Sequence, residues 1–483
     1  MKLLAIDCGA SSGRGILGEL AGDKLSLKEV HRFKNEMLDK DGRKHWDIGR
    51  LHKETLAALQ KAGPEAESVG IDTWGVDYGY VDKAGHVMGL PFAYRDARTG
   101  PMVDYVHSVV GQDKLYGING LQVMPFNTIY QMADDVKSRP ETMREAERMQ
   151  FIPDLLGYLL TGQFTAEYSI ASTSGLIDAR TRKWSDELLD RLKIPRHLFT
   201  EISQPGGFQA ALRPEVAKQT GSKAVLTLAA GHDTASAVAA TPLESKNAMY
   251  ISSGTWSLVG MELDQPVLDR RAQEATFTNE GGVNNTIRFL KNVMGLWLIQ
   301  ELQRIWAGRG TELGFGEICD EAKKAPAFAA VVDPNKQRFF APKDMQQEFE
   351  EECRRTGQPV PKGVGPLARC VFESLALAYR QCRETLERVT GRKIDRVHVV
   401  GGGVQNTLLC QMTADACGVP VHAGPVEATA IGNILVQAIG RGAVKDLAHA
   451  RRIVKAAFPL DTYAPQDQSA WAKAWERYQK LPA

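Results

Sequence analysis

The chain alternates between segments whose apolar pattern is typical of strands and segments whose pattern is typical of helices. Residues 2–7 form a short apolar run, residues 8–13 are a turn of small residues, and residues 15–20 resume the apolar pattern, so a hairpin is predicted. Residues 48–62 have helical spacing and stop at Gly63. Residues 69–72 then form a further buried strand. This alternation predicts an α/β architecture.

The clearest helical pattern lies in the second half of the chain. Its apolar positions step by three or four residues, which predicts one face of a long amphipathic helix ending at Gly391. A strand at 396–400, a glycine run at 401–403 and a helix at 406–417 follow. A strand, a glycine turn and a helix in this order are typical of nucleotide-binding folds. The stepped positions are Leu367, Val371, Leu375, Ala378, Cys382, Leu386 and Val389.

Two short segments of the chain resemble each other. Residues 6–11 and 251–256 each place a glycine among small hydroxyl residues after an apolar strand, at an offset of 254 − 9 = 245 positions. The match is short, but it indicates two lobes of related design with a boundary at 241–248. We therefore expect an N-terminal lobe at 1–244 and a C-terminal lobe at 245–483.

Composition excludes several classes of protein. The chain has 59 Lys and Arg against 58 Asp and Glu, a net charge of +1, which argues against a general nucleic-acid binder and a basic membrane-surface protein. No apolar run approaches the length of a transmembrane helix, and Asp7 interrupts the only signal-like start. We expect a cytoplasmic protein, either a monomer or a small homo-oligomer.

The seven cysteines are sparse and contain no C-x-x-C pair, so neither a disulfide framework nor a zinc site is predicted. Cys353 and Cys370 flank a stretch rich in glycine and proline at 357–365. They can pair only if the chain doubles back, and the sequence leaves this open.

The first candidate for chemistry is the turn after the first strand. Gly13 and its neighbours allow backbone N–H groups to approach an anion, Ser11 and Ser12 add hydroxyl donors, and Arg14 adds a positive charge. Asp7, at the end of the strand, is placed to hold Mg²⁺ through water. A tight hairpin turn with no ligand explains the glycines equally well.

Three further segments carry candidate residues. Residues 252–255 repeat the hydroxyl-and-glycine pattern, and the triple glycine at 401–403 permits close approach by a flat ligand such as adenine. Both segments are also explained as structural turns. His232 and Asp233 follow an apolar strand predicted at 224–230 and precede a helix of small residues. From spacing alone, Asp233 is more often a helix N-cap than a catalytic base, and His232 is more often structural.

Taken in order, these segments resemble the FGGY family of carbohydrate kinases over nearly the whole chain. The most specific strings are 70–77 (GIDTWGVD), 93–96 (AYRD), 124–128 (MPFNT), 231–238 (GHDTASAV), 278–282 (TNEGG) and 291–297 (KNVMGLW). The resemblance implies the duplicated fold of that family, which consists of two ribonuclease H-like, or actin-like ATPase, lobes around a central cleft. It implies a cytoplasmic enzyme with a small ketose and MgATP as substrates.

The resemblance also implies roles for individual residues. Asp233 becomes the proton acceptor for the sugar hydroxyl, in place of a helix cap. The sugar contacts implied are Gly75, His232, Asp233, Thr234 and Asn292, and the ATP contacts implied are Ala10, Ser11, Ser12, Gly13, Arg14, Thr255, Gln300 and Gly402.

The longer strings favour L-rhamnulose as the sugar, phosphorylated at its 1-hydroxyl. Two alternatives remain open at this stage. One is a kinase of another ketose or polyol, such as L-fuculose, xylulose or glycerol. The other is an actin-like ATPase without sugar phosphorylation, although the unbroken strings at 70–77 and 231–234 argue against it. The stretch from Ala307 to Lys324 resembles the family least, and its role is open.

Overall fold

The computed structural model describes residues 1–482, and its elements alternate as the pattern predicts. The strands are β1 (Lys2–Cys8), β2 (Ser12–Ala21), β3 (Lys24–Lys34), β4 (Met37–Lys40), β5 (Arg43–Trp46), β6 (Ser68–Thr73), β7 (Tyr78–Asp82), β8 (Ala146–Phe151), β9 (Ile177–Asp178), β10 (Lys183–Trp184), β11 (Gln209–Ala211), β12 (Val225–Thr227), β13 (Ala248–Ser253), β14 (Trp256–Leu263), β15 (Thr278–Gly281), β16 (Ile287–Met294), β17 (Arg396–Val400), β18 (Val421–Ala423) and β19 (Asp461–Tyr463).

Helices connect most of these strands. They are α1 (Ile48–Ala62), α2 (Gly100–Val110), α3 (Gln112–Asn119), α4 (Thr128–Ser138), α5 (Pro140–Glu145), α6 (Ile152–Thr161), α7 (Tyr168–Ala171), α8 (Asp186–Leu192), α9 (Pro214–Thr220), α10 (Asp233–Ala240), α11 (Arg270–Glu274), α12 (Trp297–Gly308), α13 (Phe315–Lys324), α14 (Met345–Arg355), α15 (Val364–Thr390), α16 (Thr407–Cys417), α17 (Ala428–Gly440), α18 (Leu447–Ala457) and α19 (Gln468–Gln479). Within residues 1–482, no helix has both the length and the apolar character needed to cross a membrane.

The chain divides into two compact units. Unit 1 contains Met1–Pro242, Glu262–Phe289 and Ala428–Phe458. Unit 2 contains Leu243–Met261, Leu290–Glu427 and Pro459–Ala483. Each unit therefore draws on separate stretches of the sequence.

A six-stranded sheet in the order β11-β12-β6-β1-β2-β3 forms the centre of unit 1. The central strand β1 runs antiparallel to β2 and parallel to β6. This register places Asp7 opposite Arg14 on one side and opposite Asp72 on the other. Because paired residues in neighbouring strands point to the same face, the three charged side chains meet at the end of β1.

Local sequence explains the helix α1. Asp47 caps it by accepting a hydrogen bond from the backbone N–H of Arg50, and Gly63 ends it with φ +78°. Its apolar face, which includes Leu51 and Leu59, is buried in the core of unit 1. The predicted bounds 48–62 are confirmed.

Unit 2 is built on strands in the order β14-β13-β17-β18-β19. The strands β13, β17 and β18 are parallel, and β14 runs antiparallel to β13. The long helix predicted from the apolar steps is α15, and Gly391 ends it in the left-handed conformation. The strand β17 and the helix α16 that follow it also lie where the pattern places them.

One predicted strand is wrong in its extent. The apolar run at 224–230 predicts a strand, but β12 covers only Val225–Thr227. Beyond it, Leu228 exchanges backbone hydrogen bonds with Gly206 and Phe208 in a neighbouring loop. These bonds tie Leu228 to the segment that leads into β11.

Candidate active site

Asp233 is the first residue of α10, and His232 precedes it as the N-cap. The expectation from spacing alone, that Asp233 is the cap, is therefore wrong. The Oδ1 atom of Asp233 accepts hydrogen bonds from the backbone N–H and the hydroxyl of Thr234, the latter at 3.1 Å. The Asp233 side chain is 32% exposed. A carboxylate at this helix terminus is accessible to a substrate hydroxyl.

The backbone before Asp233 is held by buried polar groups. Glu167 accepts a hydrogen bond from the N–H of Gly231 at 2.8 Å, and the Ser169 hydroxyl accepts one from the N–H of His232 at 3.2 Å. The carbonyl of Gly231 accepts from the N–H of Thr73 at the end of β6. These contacts fix the position of His232, whose Nε2 lies 3.5 Å from Oδ1 of Asp233.

An arginine and a glutamate lie on the other side of the His232 ring. Arg288 is fully buried, and its Nη2 lies 3.0 Å from Nδ1 of His232 and 3.1 Å from Oε2 of Glu280. Burial opposes ionisation of Glu280, but the charge of Arg288 acts against this, and the pKa of the Glu280 carboxyl is lowered. Sequence reasoning gave neither residue a role, although Glu280 lies in the string 278–282. The available signal was an arginine inside the apolar strand β16.

Three carboxylates gather at the end of β1 and β6. Asp7 forms an ion pair of 2.9 Å with Arg14. Asp72 is fully buried and accepts a hydrogen bond from the side-chain amide of Asn433 at 2.5 Å. Burial raises the pKa of Asp72 well above its usual range, and the charges of Asp7 and Asp233 add to this, while the Asn433 bond opposes it.

The turn between β1 and β2 is closed by a backbone hydrogen bond and has a packing role. Ser11 and Ser12 are exposed, and Ala10 is half-buried. The N–H of Gly9 bonds to the carbonyl of Ser12 at 2.9 Å, which closes the turn. A Cβ at Gly13 would lie 2.1 Å from the ring of Phe33, so packing alone requires glycine there.

The donor set fits a magnesium ion bound together with phosphate. Within residues 1–482, no group of three or more His, Cys, Asp or Glu side chains is arranged to hold a metal. Mg²⁺ does not need such a cage, because it is usually bound by one or two carboxylates, water and substrate phosphates. Asp7 lies opposite Arg14 near the turn that follows β1, and the buried Oδ1 of Asp72 has no hydrogen-bond partner among the described residues.

Gly75 lies in a tight turn whose backbone is strained at the next residue. Val76 has φ +69°, a conformation that β-branched residues rarely adopt. The hydroxyl of Thr173 accepts from the N–H of Val76 at 3.0 Å, and the hydroxyl of Thr128 donates to its carbonyl at 2.6 Å. A Cβ at Gly75 would lie 3.3 Å from the Thr173 side chain. Strain maintained by buried partners is typical of functional sites.

In unit 2, the predicted nucleotide residues gather at the ends of two parallel strands. Ser252 of β13 pairs with Val400 of β17, so the turns that follow them are neighbours. The Thr255 hydroxyl lies 3.4 Å from Oε1 of Gln300 on α12. Ligands of parallel α/β sheets bind at such carboxyl ends of strands.

The three glycines of the run at 401–403 have different surroundings. A Cβ at Gly401 would lie 2.9 Å from the carbonyl oxygen of Ser253, and one at Gly403 would lie 2.0 Å from its hydroxyl. A Cβ at Gly402 would meet nothing within 4 Å, and the residue is exposed. Gly401 and Gly403 therefore serve packing, and Gly402 is the one that a ligand can approach.

The remaining residues of interest also lie in unit 2. Asn292 is half-buried in β16. The stretch from Ala307 to Lys324 comprises the end of α12, a loop and α13. Its first part lines an open groove together with Gln300, and this groove is bordered by Gln300, Gln303, Arg304, Ala307, Glu312, Leu313 and Gly314.

All seven cysteines are buried free thiols. Cys353 and Cys370 are close enough for one thiol to hydrogen-bond to the other, so the chain does double back between them. They are not joined in this structure.

Comparison with known proteins identifies the family. The model of the N-terminal domain of the FGGY family of carbohydrate kinases matches residues 2–240, and the model of its C-terminal domain matches residues 249–441. The chain belongs to the FGGY family of carbohydrate kinases. It is a kinase, and the enzymes of this family use ATP with Mg²⁺.

Within the FGGY family, the chain is similar over nearly its full length to proteins named rhamnulokinase. The chain is 42% identical to the rhamnulokinase of Bacteroides thetaiotaomicron over 98% of both chains. It is 43% identical to the rhamnulokinase of Enterococcus faecalis, covering 95% of this chain and 93% of that protein.

Solved FGGY kinase structures have the same fold. The xylulose kinase of Lactobacillus acidophilus matches with a TM-score of 0.81 at 16% identity, covering 99% of this chain and 97% of that chain. The glycerol kinase of Plasmodium falciparum matches with a TM-score of 0.78 at 13% identity, with the same coverage of each chain. The expected actin-like ATPase fold is confirmed.

Proposed function

We propose that this FGGY kinase transfers the γ-phosphoryl group of MgATP to the 1-hydroxyl of L-rhamnulose, giving L-rhamnulose 1-phosphate and ADP in L-rhamnose breakdown. The observation that carries this proposal is the full-length identity of 42–43% to proteins named rhamnulokinase. The accessible carboxylate of Asp233 at the start of α10 supports it.

Asp233 is the general base in this proposal. As the sugar oxygen forms its bond to the γ-phosphorus, the bond from phosphorus to the β,γ-bridging oxygen breaks, and the hydroxyl proton moves to Asp233. ADP leaves with the electron pair of the broken bond. Such a reaction depends mainly on positioning and on the stabilisation of charge on the phosphoryl oxygens.

The other predicted residues divide between the two substrates. His232 and Thr234 flank the base, and Gly75 itself has no side chain that would block a ligand, so these residues and Asn292 would contact the sugar. The hydroxyls of Ser11 and Ser12, the backbone of Ala10 and Gly13 and the charge of Arg14 would contact the phosphates. Thr255, Gln300 and Gly402 would contact the nucleotide. Mg²⁺, when bound near Asp7, supplies positive charge that offsets the charge of the phosphates.

We propose that the functional lobes are residues 1–244 and 245–483. We also propose that the enzyme acts in the cytoplasm, where MgATP is present. Its active form is a monomer or a small homo-oligomer.

A coupled assay of ADP release tests the substrate. The folded protein is supplied with MgATP and, in separate reactions, with L-rhamnulose, L-fuculose, D-xylulose, L-ribulose or glycerol. We expect kcat/KM to be highest for L-rhamnulose by at least tenfold. A higher value for another sugar would retract the substrate and leave the family assignment intact. ADP release that no sugar stimulates would overturn the proposed reaction.

A further inference from the structure

We propose that Arg288 is a positioning residue that fixes His232 as the neutral Nε2–H tautomer, with its N–H directed toward Asp233 and the sugar. The inference rests on the proposed function for the identity of the sugar only. Its structural basis is a buried contact between a guanidinium and an imidazole, together with the hydrogen-bonding capacity of each group.

The first step is the contact between Arg288 and His232. Nη2 of Arg288 lies 3.0 Å from Nδ1 of His232, and the arginine is fully buried. A guanidinium can only donate hydrogen bonds, so Nδ1 must accept. A neutral imidazole that accepts at Nδ1 carries its proton on Nε2.

The second step excludes the competing arrangement. Oε2 of Glu280 lies 3.3 Å from the same Nδ1 and would be the acceptor if that nitrogen carried a proton. Two N–H groups, one from Arg288 and one from His232, would then face each other over 3.0 Å. Oε2 of Glu280 has no hydrogen-bond partner among the described residues, which fits a role as counter-charge to Arg288.

The third step concerns the side of the ring that faces the site. Nε2 of His232 lies 3.5 Å from Oδ1 of Asp233. With the proton on Nε2, the imidazole offers a donor to the carboxylate or to a sugar oxygen. With the proton on Nδ1, a nitrogen lone pair would face the lone pairs of the carboxylate, which is repulsive. Arg288 therefore stabilises the only neutral tautomer that is compatible with an ionised base.

The network behind His232 is anchored to the fold. Nε of Arg288 donates to the carbonyl of Gly281 at 2.8 Å, which holds the guanidinium plane. The N–H of Gly281 in turn donates to the hydroxyl of Ser172 at 2.7 Å. The Arg288 side chain is thus oriented by β15, and it in turn orients the ring of His232.

The tautomer can be measured directly by ¹⁵N NMR of histidine-labelled full-length protein without sugar. The chain has ten histidines, so a His232→Asn sample assigns the His232 signals. We expect the wild-type protein to show a single Nε2–H tautomer at this position. A wild-type signal from the Nδ1–H tautomer or from the imidazolium would overturn the proposal.

A paired substitution tests the role of Arg288 without leaving a buried charge alone. Glu280→Gln with Arg288→Met removes both charges at once. We expect a mixture of tautomers and a fall in kcat/KM for the sugar of roughly tenfold to a hundredfold, the usual range for a hydrogen bond to a charged group. KM for ATP should stay within about twofold. Arg288→Lys, which keeps a charged donor, should restore the Nε2–H signal and most of the activity.

The matched control is Glu373→Gln with Arg369→Met, the same exchange in an ion pair of 2.7 Å on α15. It should leave the His232 tautomer and the sugar kinetics unchanged. A folded Glu280→Gln and Arg288→Met variant with an unchanged tautomer and unchanged kcat/KM would overturn the positioning role. If this variant does not fold, the wild-type and Arg288→Lys spectra decide the matter. Because the spectra need no sugar, failure on L-rhamnulose would affect the proposed function alone.

Discussion

The side-chain amide of Asn433 donates a hydrogen bond to the carboxylate of Asp72, and 361 positions separate the two residues in the sequence. Asn433 lies on α17 and Asp72 on β6, so a helix from the last sixth of the chain supports the carboxylate cluster of unit 1. This contact depends on how closely α17 approaches its neighbours. A Cβ at Gly432, the residue before Asn433, would lie 1.8 Å from the carbonyl oxygen of Ser236 on α10.

We therefore expect Gly432→Ala to destabilise unit 1 by about 3 kcal/mol or more, because the added methyl group meets backbone that cannot move aside. Thermal unfolding followed by circular dichroism measures the effect. The control is Gly117→Ala on α3, where a Cβ meets nothing within 4 Å. This change should be neutral or stabilise the protein by up to about 1 kcal/mol, since alanine favours the helix. Equal melting temperatures for the two variants would contradict the close packing.

Asp233→Asn should lower kcat by roughly 10²- to 10⁴-fold, the usual contribution of a general base, because an amide cannot take the hydroxyl proton. ATP binding, measured by calorimetry, should be largely kept. Asp47→Asn is the control, since Asp47 caps α1 and asparagine caps helices equally well. Unchanged turnover in folded Asp233→Asn protein would remove Asp233 from the mechanism.

Asp77 should make folding less favourable as pH rises through about 6. Burial raises the pKa of its carboxyl from 3.8 to about 6, although hydrogen bonds from Trp46, Gln131, Trp74 and the backbone of Tyr94 oppose the rise. The folded state therefore binds this proton more tightly than the unfolded state. The contribution to stability is complete below pH 3.8 and is lost as pH approaches and passes about 6, at a cost of about 3 kcal/mol.

The Asp77→Asn variant tests this linkage, because it removes the titrating group. Melting temperatures measured from about pH 4.5 to about pH 7.5 should fall less steeply for the variant than for the wild-type protein. Asp39→Asn on the exposed strand β4 is the control and should follow the wild-type curve. Parallel curves for wild-type and Asp77→Asn protein would show that Asp77 does not titrate in this range.

Gly402→Ala should affect ATP binding, whereas Gly403→Ala should affect stability. The methyl group at residue 402 points into open space, so the protein should fold normally while KM for ATP rises by about tenfold and KM for the sugar stays constant. The methyl group at residue 403 collides with Ser253, so stability should fall. Steady-state kinetics and thermal melts separate the two effects. A Gly402→Ala enzyme with normal KM for ATP would place the nucleotide away from this glycine.

The local pattern of apolar residues and glycines was sufficient to predict several elements of the fold. The bounds of α1, the length of α15 and its end at Gly391 follow from apolar spacing and glycine positions, which act over a few residues. The end of β12 at Thr227 did not follow, because the apolar run continues to Ala230 and its pattern does not mark where pairing with β6 and β11 stops. The three-part composition of each unit also depends on contacts between distant segments.

In the candidate site, too, the sequence predicts the residues that lie in one motif but not those that reach the site from distant segments. Motif resemblance predicted His232, Asp233 and the two glycine-containing turns, because a motif consists of residues that follow one another in the sequence. It gave no role to Arg288 or Glu280, which act on His232 from strands about 50 residues further along the chain. Spacing alone predicts Asp233 as the cap and the resemblance replaces that role; His232 occupies the cap position because of its own backbone angles.

Each unit contains at least one buried cysteine whose alkylation can report on local opening of that unit. Cys8 lies in unit 1, and the other six cysteines lie in unit 2. Burial raises the pKa of Cys8 well above its usual range and that of Cys417 to about 12, so neither thiol reacts while its surroundings stay closed. An alkylating reagent modifies each thiol only after local opening, and mass spectrometry of the peptides then gives opening rates for the two units in one experiment, with and without substrates.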